Sequence, residues 1–449
     1  MNTTLPSSNE AVVFSTNRVL APLIIASYFI VLDVFKISSL GWVGFSIVVF
    51  VLVLRAYSLI AALMLASCKV SVRAEGSEEG KPLRLNYLVC NGSLLPIALV
   101  EFSLSYPEHL SIKGAPGGLS VISPRGCFEY KAEFESRPGS HVLGPLRATY
   151  RDPFGFFRSS EITLGDPIVI KITPRIEQKI SKVVLSTSRS TGLTRTRRPG
   201  EGVEFYSVRN YSPGDELRRI LWHALTKGKL IVKEYERESS LYALFVLITC
   251  EDMIYGPYLN TPLEHSMRVL GSIVRHLANN NDNIALAVST PKREMVSNFY
   301  PGRKGFVELM RLLSEIDFQD FKIRESSEQL RSRLFALEKR LSKILPRDKV
   351  NVIVVTTARI ADVAAEALKG LSNIRGVSLN FFVFLPHLYG VEELSEFERA
   401  VYRVRTYQEI REAFSKTKDL RKRGFRAVVV TPRDMATKIL MKLEAQRGV

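Results

Sequence analysis

Two apolar runs dominate the first seventy positions of the chain. The first, 19–35, is interrupted only by Ser27, Tyr28 and Asp33, and the second, 40–66, is broken once by Arg55. A bilayer core needs about 20 apolar residues in a helix. The first run just qualifies with its flanks, and the second exceeds the requirement. Only Lys36-Ile-Ser-Ser39 separates them, so the pattern predicts a tight helical hairpin with both ends on one side. A cleaved signal peptide is the competing reading of the first run. Against it, no basic segment precedes Arg18 and no small-residue cleavage site precedes the second run. Arg55 either snorkels to the headgroups from near the inner end of its helix or pairs with Asp33. Those two residues sit at different depths in an antiparallel hairpin, which favours snorkelling.

From about residue 68 to 173 the pattern shortens. Apolar runs at 83–89, 97–104 and 168–172 alternate with turn residues every 8 to 15 positions, which suggests a small β-sandwich or barrel. Inside this region Arg151-Asp-Pro-Phe-Gly-Phe-Phe157 predicts a turn whose aromatics bury against a neighbour. After residue 241 strands and helices alternate. Strand candidates lie at 241–248, 283–289, 351–356, 378–385 and 425–430, with helix candidates at 262–278, 303–315, 326–344, 361–372, 392–401 and 433–445. Near-continuous apolar strands between amphipathic helices mean a parallel sheet covered on both faces. One helix carries Leu330, Leu334, Leu337, Leu341 and Ile344 in a stripe lasting barely two heptads, which reads as a packing face rather than a coiled-coil seam.

Composition adjusts this picture in three places. The 449 residues suffice for about three domains, and 46% hydrophobic with 24% charged residues describes a globular chain with a membrane-prone tint. The net charge is +17, of which residues 68–449 keep +16, so the balance favours an anionic surface. No Arg/Gly or aromatic-interleaved basic tract is present, so a lipid surface is expected and nucleic acid is not; a basic nucleic-acid binder at the membrane is the alternative that charge alone supports, and salt-dependent binding would discriminate it. Lys69, Arg73, Lys81 and Arg84 follow the second apolar run, against a single Lys36 in the connector. The positive-inside bias thus predicts a two-helix membrane protein with its bulk in the cytoplasm. Cys68, Cys90, Cys127 and Cys250 lie far apart with no CxxC, and are expected to be buried thiols of a reducing compartment.

The densest chemistry lies at 198–222. Pro199-Gly200 and Pro213-Gly214 supply two turn signals around a charged, aromatic strand. Phe205, Arg209 and Tyr211 share one face of that strand, and Glu204, Tyr206 and Val208 the other. Asp215 stands where an N-cap belongs, and 216–227 reads as a short helix stopped by Gly228. Glu204, Arg209, Asp215 and Arg218 are close enough to form one network, and Trp222 offers the apolar area to anchor the unit in a core. The segment is thus expected to be a scaffold joining the β and α/β regions. An acid, base or anion-clamp role for Glu204, Arg209 or Asp215 is the alternative, although no nucleophile–base pair or Gly-rich phosphate loop accompanies it.

This segment resembles the signature of the domain of unknown function 58 family: Pro-Gly-x-Gly-x-Glu-Phe, then Arg-x-Tyr-x-Pro-Gly-Asp, then Arg-x-Ile-x-Trp. The matching positions are Pro199, Gly200, Gly202, Glu204, Phe205, Arg209, Tyr211, Pro213, Gly214, Asp215, Arg218, Ile220 and Trp222. The resemblance implies a doubly wound α/β domain of von Willebrand factor A type after the signature, and partnership with a MoxR-type AAA+ ATPase. The A-type fold carries Asp-x-Ser-x-Ser after its first strand, hard oxygen donors suited to Mg²⁺. Here the strand runs into Thr249-Cys-Glu-Asp-Met253, and no register restores the motif. Thr249, Glu251 and Asp252 are left as degenerate metal-loop positions. No bound metal, cofactor or catalytic residue is expected. The predicted architecture is a multidomain one: a membrane anchor at 1–67, a β-sandwich-like domain at 68–175, the signature at 176–240 and a von Willebrand factor A-like domain at 241–449. The expected role is a membrane-anchored interaction or scaffold protein for the assembly or maturation of other proteins.

Overall fold

The computed structural model describes residues 11–37, 39–177, 199–225, 230–236, 241–323, 325–386 and 396–447. Contacts divide the chain into two compact units, Met1–Ile172 and Thr173–Val449.

The first unit opens with β1 (Val13–Ser15) and two antiparallel helices, Leu20–Val34 and Gly41–Ala66. Eleven further strands follow among its described residues: β2 (Lys69–Glu75), β3 (Leu83–Cys90), β4 (Ile97–Leu104), β5 (Ile112–Lys113), β6 (Gly117–Ile122), β7 (Cys127–Phe134), β8 (Gly139–Leu143), β9 (Leu146–Tyr150), β10 (Phe157–Ser159), β11 (Ile162–Leu164) and β12 (Ile168–Ile172). Two four-stranded antiparallel sheets, β2-β3-β7-β5 and β11-β9-β4-β6, face each other across one core. The period-2 pattern explains why. On β3, Leu83, Leu85, Tyr87 and Val89 point inward, and Phe102 of β4 stacks on Phe128 of β7 across the gap at 4.9 Å.

The helices pack closely because their facing positions are small. A Cβ added to Gly44 would lie 2.6 Å from the Ala26 carbonyl oxygen, and one added to Gly41 would strike Asp33. This pairing puts Asp33 beside the connector and Arg55 level with the residues around Arg18 and Val19. At 1.5 Å per residue the two charges lie roughly 20 Å apart along the hairpin, out of reach of each other.

The apolar run 40–66 is not exposed along its whole length. Its outer part exposes Trp42, Phe45, Leu52 and Val53, but Val51, Ala61, Ala62 and Leu65 are buried. Phe50 meets Phe154 at 5.4 Å, the Tyr57 hydroxyl donates to the Pro96 carbonyl at 2.6 Å, and Ala61 and Leu65 enter the sandwich core. Lipid and protein core select the same side chains, so composition alone merged the two. The Arg151–Phe157 turn lies at this junction. Asp152, 2% exposed, accepts from the Phe154 N–H at 2.8 Å and from the Phe157 N–H, while Gly155 takes φ +72°. Phe157 is buried as expected, whereas Phe154 stays 53% exposed beside the hairpin.

The cysteine expectation is overturned. Cys90 and Cys127 are register partners on β3 and β7 and form a disulfide, with Cα atoms 4.0 Å apart. Only the tertiary pairing of strands 37 residues apart makes them neighbours. Cys68 and Cys250 remain thiols, each partly buried.

The second unit holds an antiparallel hairpin, β13 (Pro199–Asn210) with β14 (Ile231–Glu236), and an α/β sheet. The sheet strands are β15 (Tyr242–Ile248), β16 (Asn283–Ser289), β17 (Glu294–Val296), β18 (Tyr300–Pro301), β19 (Val350–Thr357), β20 (Val377–Phe384) and β21 (Arg426–Val430). Their order is β17-β16-β15-β19-β20-β21, with β16, β15, β19, β20 and β21 parallel and β17 and β18 antiparallel at one edge. Helices Pro262–Asn279, Gly302–Ser314 and Met435–Arg447 cover one face; Ser327–Ile344, Ala361–Ala367 and Glu396–Lys422 cover the other. The parallel, doubly covered sheet is the one the sequence pattern called for. Thr261 and Glu264 close a reciprocal capping box at the start of Pro262–Asn279. The leucine stripe is a packing face: Leu334, Leu337 and Leu341 are fully buried against the sheet. Two helix expectations change. The helix expected at 361–372 divides at Leu368, and the one expected at 392–401 becomes Glu396–Lys422, with 392–395 outside the described residues. Its dense charge hid the sparse buried positions Ala413, Thr417 and Leu420 from a periodicity reading.

Candidate functional site

Two clusters carry the sequence-derived candidates. The first lies at the carboxyl ends of β15 and β19. The chain runs from β15 to β16 on one side and later to β19 on the other, and such a switch point opens a crevice where α/β sheets bind ligands. Thr249 is fully buried, and its hydroxyl donates to the Ser289 carbonyl at 2.9 Å. Cys250 Sγ lies 3.4 Å from Thr357 Oγ1, and burial pushes its thiol up to about 11, which keeps it protonated at neutral pH. Glu251 accepts from the Tyr255 hydroxyl at 2.9 Å. Asp252 accepts from Arg359 at 3.0 Å.

A Mg²⁺ ion would need several oxygen donors turned to one point. Here one carboxylate faces a tyrosine, the other holds a guanidinium, and the Thr249 hydroxyl is committed to a carbonyl. Among the described residues no three His, Cys, Asp or Glu side chains converge on a metal position. The residues present do not fit the ion that the resemblance to A-type domains implies. Arg359, from the loop after β19, supplies the positive charge beside Asp252.

The second cluster is the signature strand and turn. Arg209 leaves β13 and makes a forked pair with Asp215, Nη1 to Oδ2 at 2.7 Å and Nη2 to Oδ1 at 2.6 Å. Its Nε reaches Glu234 Oε1 on β14 at 2.9 Å, while the Ser207 hydroxyl donates to Glu234 Oε2 at 2.6 Å. The Ser212 N–H donates to Asp215 at 2.9 Å, and Gly214 adopts φ +108°, which the Pro213-Gly214 turn requires. One guanidinium therefore ties strand, turn and neighbouring strand together. The Arg209 fork first, and the Ser212 N–H second, hold the Asp215 carboxyl below the usual carboxylate range.

Several expectations for this segment are corrected. Asp215 is not an N-cap: its oxygens face Arg209 and Ser212 N–H. The helix expected at 216–227 is a 3-10 turn at Leu217–Arg219, an extended Ile220 bridged to Val232, and a single turn at Trp222–Leu225. Residues 226–229, Gly228 among them, lie outside the described residues. Trp222 is 58% exposed and anchors no core; buried Ile220 and Val232 take that part. Of the four charges proposed as one network, Arg209 and Asp215 meet, Arg218 is exposed on the turn, and the side chain of Glu204 lies outside the described residues, as do those of Pro199, Gly200, Gly202 and Phe205. Tyr211 contributes its backbone N–H to the Leu230 carbonyl at 2.9 Å. Glu234 was missed. It sits diagonally across from Arg209, because Arg209 pairs with Val232 in the ladder, and only the register reveals that.

This geometry predicts an ordering of variants. Asp215→Ala should lower the unfolding temperature of the full chain, while Trp222→Ala should stay within about 0.5 kcal/mol of wild type, as exposed positions do. Because the folded Asp215 value lies below its unfolded value of about 3.9, its contribution is complete above that pH and is lost as pH falls through the depressed value. Thermal melts at pH 7 and pH 3 check both points. A larger loss for Trp222→Ala than for Asp215→Ala would reject the clasp.

Residues 207–377 match the model of the family described as protein of unknown function DUF58, a range that runs from Ser207 through β19 to the first residue of β20. Pro199, Gly200, Gly202, Glu204 and Phe205 precede the matched range. No curated protein matches the chain in sequence. Among solved structures, the chain is similar to the conserved hypothetical protein BatB from Bacteroides thetaiotaomicron, at 12% identity and a TM-score of 0.29, over 46% of this chain and 98% of that one. A von Willebrand factor type A protein from Catenulispora acidiphila gives 10% identity and a TM-score of 0.26, over 48% of this chain and 44% of that one. The VWA domain of SpRpn10 gives 19% identity and a TM-score of 0.24, over 46% and 95%.

Proposed function

We propose that this protein is a membrane-anchored interaction scaffold whose α/β unit is a von Willebrand factor A-like module that works without a metal ion. The observation that carries the reading is the use of its charged groups. Arg209, Asp215 and Glu234 hold the hairpin together, and Arg359 neutralises Asp252 at the switch point. Groups spent on one another in this way shape a surface rather than perform a reaction. The match to a DUF58 model supports the same class.

The anchor is the helical pair. Both helices are long and apolar enough to cross a membrane, and the second continues into the sandwich core, which fixes anchor to domain. The segment Gly41 to Leu54 spans roughly 21 Å at 1.5 Å per residue, less than the ~30 Å hydrocarbon core. Exposed Phe14 and Phe154 at its base extend the apolar surface toward the headgroups. The basic residues after the second helix support a cytoplasmic location for the rest of the chain. A second reading, with the sandwich on the non-reducing side of the membrane, is favoured by the Cys90–Cys127 disulfide. We propose a MoxR-type AAA+ ATPase as the partner, on the strength of the family resemblance.

Crosslinked affinity purification from native membranes should recover the ATPase at near-stoichiometric yield, and its absence from the crosslinked fraction would reject the partner. Protease added outside intact spheroplasts decides the side: a protected C-terminal unit supports the cytoplasmic reading, and digestion selects the second.

A further inference from the structure

One helix of the α/β unit carries an apolar face that the fold does not bury. Glu396–Lys422 buries Thr406, Ala413, Thr417 and Leu420 on the side that covers the sheet. Its opposite side is not a polar one. Phe397, Val404, Tyr407 and Phe414 are each between 59% and 79% exposed, and Ala400 and Arg411 are exposed between them. These six positions follow one another at steps of 3, 4, 3, 4 and 3 residues, the a and d spacing of a coiled-coil seam. At 3.6 residues per turn they stay within an arc of about 100°, along a run roughly 26 Å long. Apolar side chains scattered singly over a surface need no explanation, but three aromatics and a valine in one register along a helix mark a contact face.

The order of side chains along this run points to a second copy of the same helix, laid antiparallel. Turned end for end about its midpoint, the run sets Phe397 on Phe414, Val404 on Tyr407 and Ala400 on Arg411 of the second copy. The two central layers thus each match a small side chain with a large one, and phenylalanines pair at both ends. A two-fold interface demands this self-complementarity, because every contact in it occurs twice.

Charge selects the direction. Glu412 pairs with Lys416 at 2.9 Å and Asp419 with Lys422 at 3.3 Å, but among the described residues Arg411 and Glu396 enter no ion pair. They lie roughly 22 Å apart along the helix, so they cannot meet within one chain. Antiparallel pairing places Arg411 over Ala400 of the second copy, one turn from that copy's Glu396. A parallel pair would instead set Arg411 on Arg411, two like charges inside the seam. A single polar residue in such a seam fixes register and orientation at some cost in stability.

We propose that two copies of this chain associate through their α/β units, the exposed faces of Glu396–Lys422 pairing antiparallel with Arg411 of each copy on Glu396 of the other.

Sedimentation equilibrium of the full chain in density-matched detergent tests this, because it reads the mass of the protein alone. Wild type should show a reversible monomer–dimer equilibrium. Val404→Glu/Tyr407→Glu should weaken association about tenfold or more, while its unfolding temperature in dilute samples matches wild type, both positions being exposed. Arg411→Glu should weaken association about tenfold, since acids then face each other, and adding Glu396→Arg should restore it. Damage to the fold would not be repaired by that second change. A wild type that stays monomeric, a dimer that Val404→Glu/Tyr407→Glu leaves intact, or an Arg411→Glu loss that Glu396→Arg fails to reverse would overturn the proposal.

Discussion

Replacing Cys90 and Cys127 by serine is expected to cost the sandwich about 4 kcal/mol. The bridge closes a loop across a sequence separation of 37 residues. In the chain-entropy treatment such a loop removes about 13 cal/mol/K from the unfolded ensemble, or about 4 kcal/mol at 25 °C. Each cysteine lies on a strand whose neighbours are already set. Val89 pairs with Phe128 one rung away, so the native side needs no rearrangement to lose the bond. The whole of a marginal domain stability is about 5–15 kcal/mol, so the loss is a large share of it. Urea unfolding of the full chain in detergent, followed through the sandwich transition, measures the difference between wild type and the double serine variant. A shift under 1 kcal/mol, or labelling of Cys90 and Cys127 by maleimide in unreduced native protein, would remove the bridge from the account. The same labelling in membranes bears on which side the sandwich occupies.

Leu337→Ala is expected to cost about 3–5 kcal/mol without changing the oligomeric state. Leu337 is fully exposed to neither water nor a partner chain: it is 0% accessible and packs with Leu334 and Leu341 onto β15, β19 and β20. Truncating a leucine in such a position removes its transfer free energy and leaves a cavity, which together gave 2.7–5.0 kcal/mol in the reference series for buried leucines. A seam between helices of two chains would behave otherwise, because its loss would lower the mass in solution before it unfolded the protomer. Light scattering and denaturant unfolding on the same preparation separate the outcomes. A fall in mass with less than 1 kcal/mol of destabilisation would make the stripe an interface.

How far the candidate site could be read in advance differs between its two halves. Around the switch point, the loss of the aspartate and serines after β15 was plain in Thr249-Cys-Glu-Asp, because a motif is a local property of the chain. That Arg359 stands beside Asp252 was not, since 107 positions separate them and only the parallel pairing of β15 with β19 brings their loops together. In the hairpin, Arg209 and Asp215 were singled out correctly as charges within reach. Glu234 was invisible without the register, and the helix expected after Asp215 failed because the acid was drawn to a guanidinium instead of to the N–H groups of a first turn.

The sequence by itself determined the order of the chain's parts: an apolar hairpin, an alternating β region, a charged turn-rich segment and a parallel α/β unit. Each follows from periodicity, which is set by the 2.0 and 3.6 repeats of strand and helix and needs no knowledge of neighbours. It also determined the basic balance and the absence of the metal-loop motif. Tertiary structure alone decided where the apolar run 40–66 leaves exposed surface and enters a core, since a lipid-facing surface and a protein core would favour the same side chains. It alone decided that Cys90 and Cys127 meet, that Trp222 stays at the surface, and that four basic side chains from two helices and a strand line one pocket at the sheet edge. Those outcomes depend on register and on long-range packing, in which residues distant in sequence become neighbours only when the sheets close.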